Sequence, residues 1–286
     1  MAQEDKNTPT PEVLIGEGPA LLALHADGVA HVRLNRPDAA NGLDMAMLKG
    51  LHEVMTAVHG DGRVRAVLIT GEGRNFCAGG DVHTFLSKGG FADNDLVMIN
   101  GGISDVIANM AAVNAGTITT EQMITASRQA GTDFAAQIRR LVNAGAKYVV
   151  VAGTYDLSKT PWATDIGRTT VLNSASSAFN EGLLVGIVDL GANVLYVDLA
   201  YYVNLYTSSP SAYGFENATK AVCTSVDATD GIGIGAGKVN SALCTTSTLL
   251  ASANQDKYAF ADSVYLTPSA QRQFGTYAYD RLRSRW

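Results

Sequence analysis

The sequence predicts an α/β fold, a three-layer α/β/α body on a mostly parallel sheet, preceded by a β-hairpin, helix and strand. Three observations carry this. Short strand-like apolar runs at Leu96–Asn100, Lys147–Ala152 and Asn193–Val197 alternate with long helical patterns at Thr119–Asn143 and Gly167–Leu190. Strand, helix, strand in that order requires a parallel sheet with crossovers. Apolar residues make up 47% of the 286 positions, enough to bury a core. Finally, the sequence changes character at Gly89-Gly90, from a stretch with histidines and arginines to one rich in Ala, Ser, Thr and Asn. A polar tail is expected over 1–17, a front segment over 18–89 and a body over 95–286.

Each element has its own local cause. Ala20–Leu24 and Val29–Leu34 are apolar runs separated by Asp27-Gly28, a two-residue hairpin signal. Leu43–His59 places Met45, Leu48, Leu51, Met55 and Val58 at helical spacing, with Asp44 near its start and Gly60 past its end. Arg65–Thr70 is a short apolar run closed by Gly71 and Gly73. A small-residue turn at Ala78-Gly79-Gly80-Asp81 then leads into a helix over Asp81–Leu86. Beyond Tyr206 the chain loosens into Ser/Pro/Gly-rich sequence. Pro268–Arg285 closes it as a helix with Phe274, Tyr277, Ala278 and Leu282 on one side. No internal repeat is visible.

Composition narrows the function classes. The net charge is −6, with 17% charged residues, so no bulk basic surface is available to follow a phosphate backbone and nucleic acid is not an expected partner. No apolar run approaches the roughly 20 residues of a membrane helix, and the polar start lacks the features of a secretory leader. A cytoplasmic location is the expectation. All five histidines (His25, His31, His52, His59, His83) precede residue 84. Cys77 stands alone and reads as a small buried apolar residue. Cys223 and Cys244 suit a disulfide where the compartment is oxidising.

At Asn35-Arg36-Pro37-Asp38-Ala39-Ala40-Asn41-Gly42-Leu43, and again at Asn75-Phe76-Cys77-Ala78-Gly79-Gly80-Asp81-Val82, the chain resembles the crotonase family of enoyl-CoA hydratases and isomerases. The resemblance covers roughly residues 18–89. It implies that a backbone N–H at the small-residue turn faces a thioester oxygen that becomes negative as an enolate forms. On that reading Gly80 is one oxyanion donor, and Ala78, Asp81 and Val82 line the acyl-CoA loop. The family's second Gly-rich turn and its glutamate pair have no counterpart here: after Gly90 the glutamates are Glu121, Glu181 and Glu216.

From Asp95 to Trp286 the chain is similar to the rear two thirds of a secreted bacterial SGNH (GDSL-type) esterase or lipase. The residues that carry this are Ile99-Asn100-Gly101-Gly102-Ile103-Ser104-Asp105, Leu141–Val151 with Asp156–Pro161, Ala212–Phe215, the Cys223/Cys244 pair and Phe260–Pro268. The resemblance implies a serine nucleophile, oxyanion donors and a final Asp-x-x-His whose histidine is the base. No Gly-Asp-Ser occurs. Gly102 and Ser104 stand where the family has Gly-x-Asn, and Asp262 with Tyr265 stands where it has Asp-x-x-His. A phenol is a poor base at neutral pH.

Other features carry no chemistry. Gly231–Lys238 lacks the Ser or Thr that follows the lysine of a phosphate loop, Asn173–Ser177 lies in a helical pattern, and Tyr201, Tyr202 and Tyr206 read as a packing face.

The chain therefore reads as a crotonase-like front joined near residues 89–95 to an SGNH-like body without its first strand. Strand pairing of Leu68 and Ile69 beside Val97 and Ile99 is expected to fill that gap. The expected function is a carboxylic ester hydrolase by descent, impaired because the nucleophile block is absent and Tyr265 replaces the base. An acyl-CoA-binding protein of enoyl-CoA hydratase/isomerase type is the alternative, and a non-catalytic hybrid the third reading. The expected ligand is a small acyl ester or an acyl-CoA, with no metal and no cofactor beyond the CoA thioester. The sequence fixes no oligomeric state.

Overall fold

The computed structural model describes residues 10–73, 77, 79 and 91–286. The chain divides into two compact units, Met1–Gly90 and Phe91–Trp286.

The front unit is a four-stranded sheet in the order β1 (Glu12–Ile15), β2 (Ala20–Leu24), β3 (Val29–Leu34), β4 (Ala66–Gly71). The first two pairings are antiparallel and β3–β4 is parallel. The expected hairpin is closed as its turn residues require. Gly28 takes φ 83°, and its N–H donates to the His25 carbonyl at 2.9 Å. β1 lies within the stretch expected to be a polar tail: a free antiparallel edge on β2 recruits Glu12–Ile15, a preference that no local pattern announces.

Helix α1 (Met45–Gly60) connects β3 to β4, and its first turn is capped by Asp44, whose carboxylate accepts from the Met47 N–H at 2.7 Å. The face it buries matches the expected one only at Leu51 and Val58. Met47, Gly50, Val54 and Val58 pack against Ala20, Leu22, Ala30 and Val32, whereas Met45, Leu48 and Met55 are exposed. Both stripes satisfy helical spacing. The one that wins contains Gly50, where a Cβ would already lie 3.1 Å from Pro19, so the small residue sits where helix and sheet meet most closely.

The rear unit is centred on three parallel strands, β5 (Leu96–Asn100), β6 (Tyr148–Ala152) and β7 (Val194–Tyr196). Helices α2 (Ile103–Asn114), α3 (Thr120–Asn143) and α5 (Thr169–Ile187) fall between them in sequence, with a short α4 at Pro161–Asp165. Helix α6 (Leu199–Ser208) follows β7, and α7 (Pro268–Arg285) ends the chain. The broad layered sheet expected from the sequence is thus a three-stranded core. β4 and β5 lie in separate sheets, so Leu68 and Ile69 do not pair beside Val97 and Ile99, and the expected gap-filling is corrected. β5 is an edge strand with Leu96 and Met98 exposed.

The terminal helix buries the predicted side: Phe274, Tyr277, Ala278 and Leu282 pack on Val150, Leu195 and Val197 of the sheet. On the other face Val149 and Val151 are fully buried. Thr119 caps α3 through a reciprocal pair of hydrogen bonds with Gln122. The Ser/Pro/Gly-rich region after Tyr206 contributes two small sheets. β8 (Asn217–Ala221) pairs in parallel with β11 (Tyr258–Phe260), and β9 (Val226–Asp227) pairs with β10 (Lys238–Val239). Cys223 and Cys244 are joined by a disulfide, with Cα atoms 5.9 Å apart.

Candidate functional site

In the front unit the parallel strands β3 and β4 end side by side, and the Asn35–Leu43 segment folds over their ends. Asn41, fully buried at φ 55°, organises the segment. Its side-chain oxygen accepts from the Arg36 N–H at 2.8 Å and its amide donates to the Glu72 carbonyl at 2.9 Å. An asparagine tolerates this left-handed backbone better than a bulkier residue and still satisfies both groups. The Arg36 guanidinium donates to the Gly42 carbonyl at 2.7 Å and pairs with the Asp44 carboxylate at 3.2 Å. Gly73 is pressed against Pro37, where a Cβ would sit 2.9 Å from the ring.

The second motif meets the first through one described bond. The Leu43 N–H donates to the Gly79 carbonyl at 2.8 Å. Cys77 is half-buried against the front core, and its sulfur accepts from the Gly79 N–H at 3.4 Å. The thiol packs against the front core but is half-buried, where the sequence predicts full burial. Ala78, Gly80, Asp81 and Val82, together with the expected helix over Asp81–Leu86, lie outside the described residues.

Behind this segment His31 Nε2 lies 2.8 Å from the Thr70 hydroxyl. Burial, then the Arg33 guanidinium and then His25, lower its pKa, with Glu72 opposing. Arg33 pairs with Glu72 at 2.7 Å.

The rear unit does not assemble a hydrolytic centre. Asp262 is fully buried, and all its acceptor capacity goes to structure. One carboxylate oxygen accepts from the Ser241 N–H at 2.9 Å and the Ser241 hydroxyl at 2.6 Å. The other accepts from the Val264 and Tyr265 N–H groups at 2.7 and 2.6 Å. Such a carboxylate holds a turn and a loop together; it orients no base. Burial and then the charge of Asp262 push the Tyr265 phenol further up. The neighbouring Tyr155, whose hydroxyl donates to the Val264 carbonyl, is shifted strongly in the same direction by burial.

Gly102 caps α2 at φ 109°, where a Cβ would meet the Phe179 ring at 2.6 Å, so its glycine is required by packing. Ser104 is exposed on the first turn of α2. A cavity of about 290 Å³ beside Gly101 and Gly102 is lined by Asp105, Phe134 and Phe179, with neither histidine nor cysteine. The three glutamates of this unit are exposed, with Glu181 paired to Arg128 at 2.6 Å. Among the described residues no group of three His, Cys, Asp or Glu is placed to hold a metal ion. No helix among them is long and apolar enough to cross a membrane.

Residues 29–96 match the sequence pattern described as "Enoyl-CoA hydratase/isomerase". A "Probable enoyl-CoA hydratase echA12" of Mycobacterium leprae is 42% identical over 53 residues, 18% of each chain. The N-terminal part is recognisably crotonase-like. A second relative, an "Uncharacterized protein in trpE-trpG intergenic region" of Pseudomonas putida, is 26% identical over 203 residues, a stretch too long to lie in the front unit alone. It covers 71% of this chain and 31% of that protein. A crystal structure of a "probable enoyl-CoA hydratase/isomerase" from Mycobacterium abscessus is 34% identical, covering 28% of this chain and 29% of that one, with a TM-score of 0.22. The chain spans about a third or less of the length of these curated relatives.

These findings overturn the ester hydrolase expected from the sequence. For the N-terminal part they point to the enoyl-CoA hydratase/isomerase family, and the structure gives the physical reason against the hydrolase: Asp262 is spent on Ser241 and the turn, Tyr265 is a half-buried phenol, and every histidine lies in the front unit. Asp262 stands at a catalytic position only by its place in the Asp-x-x-His motif, and its partner Ser241, a distant loop hydroxyl, carries no signal in the sequence. Asn41 was legible only as part of a motif; its position after Ala40 in a small-residue run was the available clue.

Proposed function

We propose that the front unit handles a CoA thioester in the manner of an enoyl-CoA hydratase or isomerase. The observation that carries this is the 2.8 Å bond from the Leu43 N–H to the Gly79 carbonyl, which ties the Asn35–Leu43 motif to the small-residue turn after β4. The Gly79 carbonyl is thereby held by Leu43, and Gly80 is the next residue in the sequence. In this reading the Gly80 N–H donates to the thioester oxygen, and Ala78, Asp81 and Val82 line the path of the acyl-CoA. A donor fixed before the substrate arrives needs no reorganisation as charge develops on the oxygen.

The reading is one of acyl-CoA binding and thioester polarisation. No proton-handling step is assigned, because Glu121, Glu181 and Glu216 stand on exposed surface of the other unit. Titration of the purified chain with butyryl-CoA in a calorimeter tests it. Saturable binding is expected from the wild type, and loss of binding from Gly80→Pro, which removes the N–H and leaves the rest of the chain unchanged. Absence of heat with the folded wild type, or unaltered affinity in the variant, refutes the reading.

A further inference from the structure

Residues Thr224–Leu243 form a strap that crosses the buried carboxylate of Asp262 and is fastened at both ends by one covalent bond, Cys223–Cys244. The strap contains Gly231, Gly233, Gly235 and Gly237, all at positive φ. A freed glycine-rich segment gains much conformational entropy, so its ordered state depends on what closes the loop. Within the strap β9 pairs with β10 and the Asn240 amide donates to the Asp227 carboxylate, and its first residue, Thr224, donates its N–H and hydroxyl to the Thr248 carbonyl at 2.8 and 2.7 Å. Its holds on the rest of the unit are specific. Ser241 supplies two of the four donors to Asp262, Val239 exchanges hydrogen bonds with Ser263, and the Ile234 carbonyl accepts from the Trp162 indole at 3.1 Å. Lys238 pairs with Asp165 at 3.5 Å. Ile234 and Trp162 both belong to the rear core.

We propose that the Cys223–Cys244 bond is a redox latch: its reduction releases the Thr224–Leu243 strap locally, while the parallel sheet of the rear unit stays folded. The two sulfurs differ in access, since Cys223 is 3% exposed and Cys244 is half-buried. A dithiol reductant therefore attacks as its thiolate at Cys244 Sγ, breaking the S–S bond and expelling the Cys223 thiolate, which takes up a proton. The second thiol of the reductant then displaces Cys244 from the mixed disulfide. The reductant leaves as its own disulfide, having given two electrons and two protons to the two cysteines. With the S–S bond broken, Ser241 lies three residues from the lost covalent tie, and once the strap releases, Asp262 retains only the N–H donors of its own turn, Val264 and Tyr265.

Lys238 and Trp162 report on the strap directly. The whole chain is compared oxidised and after dithiothreitol, by trypsin digestion with mass-spectrometric mapping and by tryptophan emission. Reduction is expected to accelerate cleavage after Lys238 about tenfold or more, as local opening replaces local closure. Emission should shift to the red as Trp162 loses its cover, and cleavage after Arg140 and Arg168 should stay slow. Removal of the reductant and reoxidation should restore protection. Equal protection at Lys238 in both states overturns the latch, and so does cleavage that rises in parallel at Arg140 and Arg168, since the bond would then be a staple of the whole unit. Cys223→Ala/Cys244→Ala should reproduce the reduced pattern; if that variant does not fold, the reversible reduction of the wild type decides.

Discussion

Asn41 and His31 show how a single side chain couples the front sheet to the segment above it. The Asn41 amide closes the Asn35–Leu43 loop onto Glu72, while the His31 ring on β3 is held against Thr70 of the neighbouring strand β4. Burial of that ring and the nearby Arg33 lower its pKa from 6.5, so the unfolded chain binds a proton more readily than the folded one. The stabilisation His31 gives is complete above the unfolded value and is lost as pH falls below about 6.5 through the folded value. The front unit's melting temperature should therefore drop as pH falls below about 6.5, and His31→Gln should flatten that slope, as a pH series of thermal melts would show. A slope unchanged by the substitution removes His31 from the account. Residue roles of this kind were hard to read in the sequence, because they depend on partners far along the chain: Thr70 for His31, Glu72 for Asn41 and Ser241 for Asp262. The motif around Asn41 was legible as a block, and the work done by each member was not.

Elements were more legible wherever a local cause acts alone. The hairpin, the Thr119 cap and the apolar side of α7 follow from turn chemistry, capping and periodicity within one window. The face of α1 did not, because two apolar stripes compete and the winner is chosen by the close approach at Gly50. The same cause operates between α3 and α5. Added Cβ atoms would fall 2.0 Å from the Phe179 carbonyl at Gly131, 2.3 Å from the Arg128 carbonyl at Gly182 and 2.4 Å from the Ala135 Cβ at Gly186. Backbone cannot yield as a side chain can, so Gly131→Ala should destabilise the rear unit by about 3 kcal/mol or more in urea unfolding. Gly275→Ala in α7, where a Cβ meets nothing within 4 Å, should instead stabilise by about 0.5 to 1 kcal/mol through helix propensity. Equal effects at the two positions would show that the helices tolerate separation and that their close contact is incidental.

At the scale of the molecule, two cores with different chemistry share one chain. The front core, around Leu22, Val32, Met47 and Val54, contains no disulfide and carries the proposed thioester site. The rear core, around Trp162, Phe179 and Phe260, contains no histidine and is crossed by the disulfide-bound strap. A ligand that binds only one folded unit stabilises that unit by mass action, by about 2.7 kcal/mol at a hundredfold excess over its Kd, and leaves an independent core unaffected. Reduction acts through the other unit alone. Calorimetry of the whole chain should therefore resolve two transitions, one raised by butyryl-CoA and insensitive to dithiothreitol, the other lowered by dithiothreitol and insensitive to butyryl-CoA. The His31 titration should move with the first and the Gly131→Ala effect with the second, so each transition acquires two independent labels. A single transition displaced by both reagents would mean that the cores unfold as one, and the assignment of separate chemistry to separate units would fail with it.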